Sequence, residues 1–479
     1  MMLCDYTAFE LAYMLRKKQC SAMEIYSDTL QRAKEMQSFN NAYISFNDEA
    51  FKTAEKIDIM IAEGKDFPLI AGIPIAVKDN ISTKGLRTTC ASKMLCNYIP
   101  PYDACVIEKL KKAGAVIIGK SNMDEFAIGS ASDTGYFGAV HNPINYYNSA
   151  GGSSGGSAAS VSSGGAVLAI GSDTGGSVRQ PASLCGVVGF CPSYGTVSRY
   201  GLIAFASSLD RIGSIGRTVK DTYLLHNIIN GSDPKDVTTS DIFYPFNLNT
   251  GLSGIRIGII KELMESYADD DVKSSFMDAI RLMEKNGSII KEISISNIRS
   301  AVNAYYIISS AEASSNLARF DGIRYGYRAP KCENLSELYK KSRSEGFGEE
   351  VKRRIMLGTF VLSEGFCDDY YKRAVSLRSR LCSEFNEAFK QCDVVAAPVY
   401  PKAGIKLGVK ATPTEVYSAD IFTVPSSIAG LPAISVPCGM TRDNLPVGLQ
   451  LIGNRLCDRI VVDVAYWSEL IRGGIYGGT

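Results

Sequence analysis

From about residue 68 onward, short apolar runs alternate with glycine and proline: residues 69–77, 115–119, 165–171, 255–260, 393–398, 433–437 and 448–453. Runs of this length that are apolar at both odd and even positions predict strands buried on both faces of a largely parallel or mixed sheet. Amphipathic stretches lie between them. From Asp270 to Asn286, residues Val272, Phe276, Ala279, Ile280 and Met283 fall on one helical face, and Gly287 signals a C-cap. The first 36 residues predict two helices. Thr7-x-x-Glu10 and Ser21-x-x-Glu24 are capping-box patterns ahead of apolar-periodic runs, Phe9, Leu11, Met14 and Leu15 in the first and Ile25, Leu30 and Ala33 in the second. Strand and helix patterns alternate along most of the chain, which predicts an α/β fold. The 479-residue length fits about three domains or one large α/β domain. No repeat or linker divides the chain, although residues 231–250 are polar and turn-rich and predict a surface excursion.

Composition narrows the function classes. Hydrophobic residues at 46% and charged residues at 21% exclude a disordered, collagenous or coiled-coil chain. Fifty-one Lys and Arg against 50 Asp and Glu leave a net charge of +1, with no cationic excess to drive nucleic-acid binding by counterion release. Histidine occurs twice, at His141 and His226. A three-histidine metal site is therefore impossible, and a Ser-His-Asp triad would have to use one of the two. Proton chemistry without histidine, and no metal site, are the expectations. The thirteen cysteines include no Cys-x-x-Cys and sit in apolar segments such as residues 436–440, which predicts reduced thiols in a cytoplasmic protein. Asp5 and Glu10 interrupt the N-terminal segment where a signal peptide needs a basic and then an apolar run, and no run of 18 apolar residues predicts a membrane span.

The candidate chemistry lies in Ser149–Gly165, which composition alone would make a flexible linker. The tract runs straight into Ala158, Ala159, Val161 and the apolar run after it. A second glycine-serine element, Gly171–Ser177, follows at once, and then Val178-Arg179-Gln180-Pro181. Glycine-rich turns offer backbone N–H groups to anions. The tract lacks the lysine of a phosphate-binding loop and the spacing of a dinucleotide fingerprint. An oxyanion hole is the other use of such donors, and Ser177 stands directly after them. A nucleophilic serine needs a base. Lys78, after the apolar run 69–77, is the candidate, because burial at a strand end would depress its pKa and leave a neutral amine.

Gly151–Pro181, together with Pro74–Asn80, resembles the amidase signature family. The resemblance implies a fold with a central mixed β-sheet covered by helices on both faces. It implies one domain over 1–479, with N-terminal helices (1–67) packed on it and an atypical tail (454–479) whose last helix is altered or shortened. It implies that Ser177 is the nucleophile, Ser153, 24 residues earlier, a bridging serine preceded by a cis peptide, and Lys78 the base, with Ser154 standing beside the set. The N–H groups of Thr174, Gly175, Gly176 and Ser177 are the implied oxyanion donors, and Asp173 and Arg179 are expected to brace the turn by pairing. Residues 121–126, 304–326, 350–366 and 420–439 further resemble the A subunits of tRNA-dependent amidotransferases. That implies a glutaminase supplying ammonia for conversion of Glu-tRNA(Gln), and of Asp-tRNA(Asn) in some cases. Arg354 would hold the glutamine carboxylate, with Arg353 the adjacent alternative, Asp420 the ammonium and Tyr305 a pocket wall. The resemblance implies no cofactor in this subunit. ATP and Mg²⁺ belong to a partner B subunit that also holds the tRNA, and a small C subunit completes a heterotrimer. A stand-alone amidase and a non-catalytic assembly subunit are the competing readings.

Overall fold

The computed structural model describes residues 2–242, 247–249, 251, 253–264, 268–409 and 412–473. Its strands are β1 (Tyr43–Phe46), β2 (Pro74–Lys78), β3 (Val116–Ser121), β4 (Leu168–Asp173), β5 (Val188–Cys191), β6 (Arg211–Gly216), β7 (Arg256–Ile260), β8 (Ile289–Ile293), β9 (Val394–Pro398), β10 (Ala433–Met440) and β11 (Pro446–Ile452). All join one mixed sheet in the order β1-β3-β2-β4-β6-β5-β10-β11-β9-β7-β8. Each of the seven apolar runs contains a strand. The first is shorter than its run: residues 69–73 turn before β2, with the Gly72 N–H bonded to the Gly114 carbonyl.

The helices are α1 (Ala8–Arg16), α2 (Ala22–Asn40), α3 (Ala50–Ala62), α4 (Cys105–Lys112), α5 (Gly155–Ser162), α6 (Arg179–Leu184), α7 (Val219–Ile229), α8 (Lys261–Met264), α9 (Asp270–Lys285), α10 (Ala301–Asn316), α11 (Leu335–Gly346), α12 (Glu349–Leu362), α13 (Arg373–Gln391), α14 (Pro413–Ser418), α15 (Val424–Ile428) and α16 (Asp458–Ile471). Both predicted capping boxes form, at Thr7–Glu10 and Ser21–Glu24. The N-terminal 1–67 segment is not wholly helical, since it also contributes edge strand β1, paired antiparallel to β3.

Side-chain alternation along the strands separates two faces. In β9, Val394 and Ala396 join a core with Leu449, Leu451 and helices α7, α9 and α16. Val395 and Ala397 point the other way, into a core with α10 and α13. Toward the other edge, Ile75, Val77, Leu168 and Ile170 pack with α1, α3 and α4, whereas Ala76 and Ala169 pack with α5. The sheet is thus covered on both faces. Within the tail, α16 buries Val461, Val462, Val464, Ala465 and Trp467. The tail's last residues, 474–479, lie outside the described residues. No described helix is long and apolar enough to cross a membrane.

Candidate active site

Strands β2 and β4 run parallel with Val77 opposite Ile170, so Lys78 ends one strand beside the turn that follows Asp173 at the end of the other. The glycine-serine tract is buried from Ser149 to Val161 rather than an exposed linker. Ser153 and Ser154 lead into α5, and Ser153, Ser154 and Lys78 are all fully buried. Lys78 Nζ lies 2.7 Å from Ser153 Oγ, 2.8 Å from Ser154 Oγ and 3.1 Å from the Ser172 carbonyl oxygen. The Ser154 hydroxyl also donates to that carbonyl at 3.0 Å. Its proton is already committed, and the Ser153 proton is the one a neutral Lys78 can accept. Burial pushes Lys78 down to about 7, against the pull of Asp124, Asp173 and Asp210.

Ser177 closes the turn after β4. Its carbonyl accepts from the Ser154 N–H at 3.1 Å, while its side chain faces a cavity also lined by Gly175, Gln180, Tyr305, Tyr306, Arg354 and Asp420. Among the described residues no side-chain hydrogen bond joins Ser177 to Ser153; the backbone link runs from Ser177 to the neighbouring Ser154. A larger open cleft lies along 269–272, 402–404 and 441–443 and holds none of these residues.

Two features differ from the expected geometry. All described peptide bonds are trans, including the one before Ser153, so no cis bond forms there. Gly151 and Gly152, at φ +78° and +48°, turn the chain instead, and a Cβ on Gly152 would stand 2.5 Å from Pro181 Cδ. Gly176 is also not free as an oxyanion donor. Its N–H donates to Asp173 Oδ1 at 2.8 Å, while those of Thr174, Gly175 and Ser177 make no hydrogen bond among the described residues.

Asp173 and Arg179 brace the turn, as expected. Arg179 Nε donates to Asp173 Oδ2 at 3.0 Å and Nη2 to Oδ1 at 2.9 Å, with both side chains wholly buried. Burial would raise the Asp173 carboxyl, but the Arg179 guanidinium overrides it and holds the group below the usual carboxylate range. Arg179 also donates to the Thr423 carbonyl, Ser426 Oγ, Ser427 Oγ and Gln450 Oε1. The turn that carries Ser177 is therefore clamped to the C-terminal third of the chain.

The adjacent arginines separate cleanly. Arg353 has a half-exposed side chain paired with Glu350 on the solvent side. Arg354 is buried in the cavity wall. Its Nε donates to Glu350 Oε1 at 2.8 Å, its guanidinium lies 4.3 Å from the Tyr306 ring centre and 5.0 Å from that of Tyr417, and its Nη1 has no partner. Asp420 accepts from the Tyr306 hydroxyl at 2.6 Å and from Gln180 Nε2 at 2.8 Å. Burial pushes its carboxyl up to about 6, against those two hydrogen bonds. Tyr305 is a wall residue packed over Gly175. Tyr306 and Gln180 were not singled out by the sequence. Tyr306 lies in an apolar helix beside Tyr305, and Gln180 follows Arg179 in the motif; position within the motif was the only available signal for Gln180.

A family model described as Amidase matches residues 24–462. The chain is 49% identical over 474 residues to the A subunit of glutamyl-tRNA(Gln) amidotransferase from Thermoanaerobacter pseudethanolicus, covering 98% of this chain and 97% of that one. It is 50% identical over 474 residues to the protein of the same name from Caldanaerobacter subterraneus subsp. tengcongensis, covering 98% and 97%. The crystal structure of the A subunit of glutamyl-tRNA(Gln) amidotransferase from Thermotoga maritima superposes with a TM-score of 0.82 at 39% identity, covering 99% of this chain and 96% of that one. A family match over most of the chain thus accompanies a buried lysine-serine pair beside a glycine-serine turn, and the chain belongs to the amidase family.

Proposed function

We propose that this chain is the glutaminase subunit of a tRNA-dependent amidotransferase, with Lys78, Ser153 and Ser177 as its catalytic residues. The observation that carries the reading is the unpartnered, buried Arg354 Nη1 in one cavity with Ser177 and Asp420. Free glutamine has an α-carboxylate for Arg354, an α-ammonium for Asp420 and a side-chain amide that remains to face Ser177. Tyr306 and Gln180 hold the Asp420 carboxylate in place, and Tyr305 closes the wall.

Neutral Lys78 takes the Ser153 proton as Ser153 takes the proton of Ser177. Substrate entry must first turn the Ser177 hydroxyl toward Ser153. Ser177 Oγ then attacks the amide carbon, and the N–H groups of Thr174, Gly175 and Ser177 are the donors left for the oxyanion. The relay returns the proton to the leaving nitrogen, ammonia departs, and a glutamyl ester remains on Ser177. Water attacks this ester by the same relay, releasing glutamate.

The relay runs on side chains alone. ATP and Mg²⁺, which activate the acceptor carboxylate of Glu-tRNA(Gln) or Asp-tRNA(Asn), belong in this reading to a B subunit that also holds the tRNA. A C subunit completes a cytoplasmic heterotrimer. The near-zero net charge suits a subunit that does not grip RNA itself. The decisive assay is ammonia release from glutamine by the assembled complex. Ser177→Ala is expected to abolish it, and undiminished release would overturn the assignment.

A further inference from the structure

A carboxylate outside the relay joins two walls of the cavity. Glu125 stands in the loop after β3, just before Ala127, Gly129 and Ser130, which line the cavity. It is buried. One of its oxygens accepts from the Ser92 hydroxyl, and the other accepts from the Gly348 N–H at 2.8 Å. Gly348 is the N-cap of α12 and makes no side-chain cap of its own. Glu125 therefore supplies from another loop the acceptor that a helix N-terminus lacks, although burial pushes its carboxyl up to about 7.

The fit is close. A Cβ on Gly348 would stand 2.4 Å from Glu125 Oε2, so only glycine lets the carboxylate reach the backbone. The Ser92 hydroxyl also reaches the Gly346 carbonyl at 3.3 Å, stitching a third loop to the same point. Directly after Glu125, Phe126 and Ala127 adopt φ +51° and +62°, a region non-glycine residues rarely occupy. The Phe126 N–H bonds the Cys90 carbonyl at 2.9 Å, and its ring packs 5.0 Å from Phe320 and 5.6 Å from Phe347. The other end of α12 is held on α10, where a Cβ on Gly358 would stand 1.9 Å from the Ser310 carbonyl oxygen. Arg354 lies between these two fixed points, about 9 Å along the helix from Gly348.

We infer that Glu125 is a positioning residue for the substrate carboxylate: by capping α12 from the opposite cavity wall, it sets the distance between Arg354 and Ser177. This rests on the reading that glutamine places its carboxylate on Arg354, and it adds a residue with no contact to substrate.

The test measures kcat and KM for glutamine, with thermal midpoints, on the full chain assembled with its proposed partner subunits. Glu125→Ala is expected to raise KM by about tenfold, the worth of one buried hydrogen bond left unmade, with kcat within about threefold of wild type. Glu125→Gln keeps an acceptor oxygen for Gly348 and is expected to hold KM within about threefold of wild type. Gly348→Ala is expected to raise KM as Glu125→Ala does, and the double variant to be no worse than either single one. Glu125→Gln and Gly348→Ala carry the test if Glu125→Ala does not fold. A lower midpoint or lower kcat with unchanged KM would mark a merely structural role and overturn the inference. Arg354→Met is the control. If it raises KM while Glu125→Ala and Gly348→Ala do not, the Glu125 inference alone fails. If it leaves KM unchanged, the glutaminase reading of the cavity fails first.

Discussion

Burial of Lys78 makes pH the most direct probe of the relay. The side chain has no solvent exposure, and burial brings its pKa down to about 7, with Asp124, Asp173 and Asp210 pulling the other way. Only the neutral amine can take the Ser153 proton. The neutral fraction then runs from about 10% at pH 6 through about 50% at pH 7 to about 90% at pH 8. At saturating glutamine, kcat for ammonia release is expected to rise about tenfold between pH 6 and 8 and to level off above. An ordinary lysine would keep climbing about tenfold per unit to beyond pH 10. Asp420, raised to about 6 by burial, acts on a different parameter: its protonation at lower pH weakens ammonium binding and raises KM. Asp210→Asn removes one of the carboxylates that favour the ammonium form and should move the kcat midpoint to lower pH. A kcat that is flat from pH 6 to 8, or still rising tenfold per unit between 8 and 9, refutes the neutral-lysine relay. Linkage gives a stability counterpart. Because the folded-state pKa lies below the unfolded one, the unfolded chain binds more protons between about pH 7 and 10.4. The Lys78 contribution to stability therefore increases with pH across that window and is constant below it.

Arg354→Met should raise KM for glutamine by about 10- to 100-fold, the cost of one or two charge-assisted hydrogen bonds. Hydrolysis of small amides lacking a carboxylate should be unaffected; equal losses on both substrates would show that Arg354 supports the cavity wall rather than the carboxylate, and no loss on either would favour a stand-alone amidase. Asp173→Asn strips the buried Arg179 of its counter-charge and should destabilise the fold by about 3–5 kcal/mol in urea unfolding; a change below about 1 kcal/mol would show that the other Arg179 acceptors suffice. Gly176→Ala drives a Cβ to within 2.2 Å of Thr423 Oγ1 from a φ of +141°. Activity should fall by more than folded-state stability does, and kcat measured beside a thermal melt separates the two.

The strands that were legible are those in apolar runs of five residues or more, such as β9, buried at every position. Of the others, β1 and β5 are only four residues long, and β6 and β8 carry charged residues. Arg211 opens β6, yet its guanidinium is buried because it donates to the carbonyls of Pro192 and Leu431, the latter 220 residues away. β8 is an edge strand, and its Lys291 and Glu292 face solvent. The same division holds at the site. The glycine-serine elements and Lys78 are local patterns, and the structure brings Lys78 to Ser153. Tyr306 acquires its place from Asp420, 114 residues on, and Gln180 from the same carboxylate 240 residues on. Adjacent Tyr305 and Tyr306 are indistinguishable until the direction of α10 is known. The choice of Arg354 over Arg353 likewise needed to know which side of α12 meets the cavity.

The clamp on Arg179 has a consequence for the order in which the protein becomes active. Ribosomal synthesis delivers Lys78, Ser153 and Ser177 early, while the groups that fix Arg179 arrive 244 to 271 residues later, ending with Gln450. Until then the guanidinium behind Ser177 lacks most of its acceptors, and the turn is held only by its local bonds to Asp173 and Ser154. The turn that carries Ser177 therefore reaches its full set of contacts only once β11, the strand that bears Gln450, has joined the sheet.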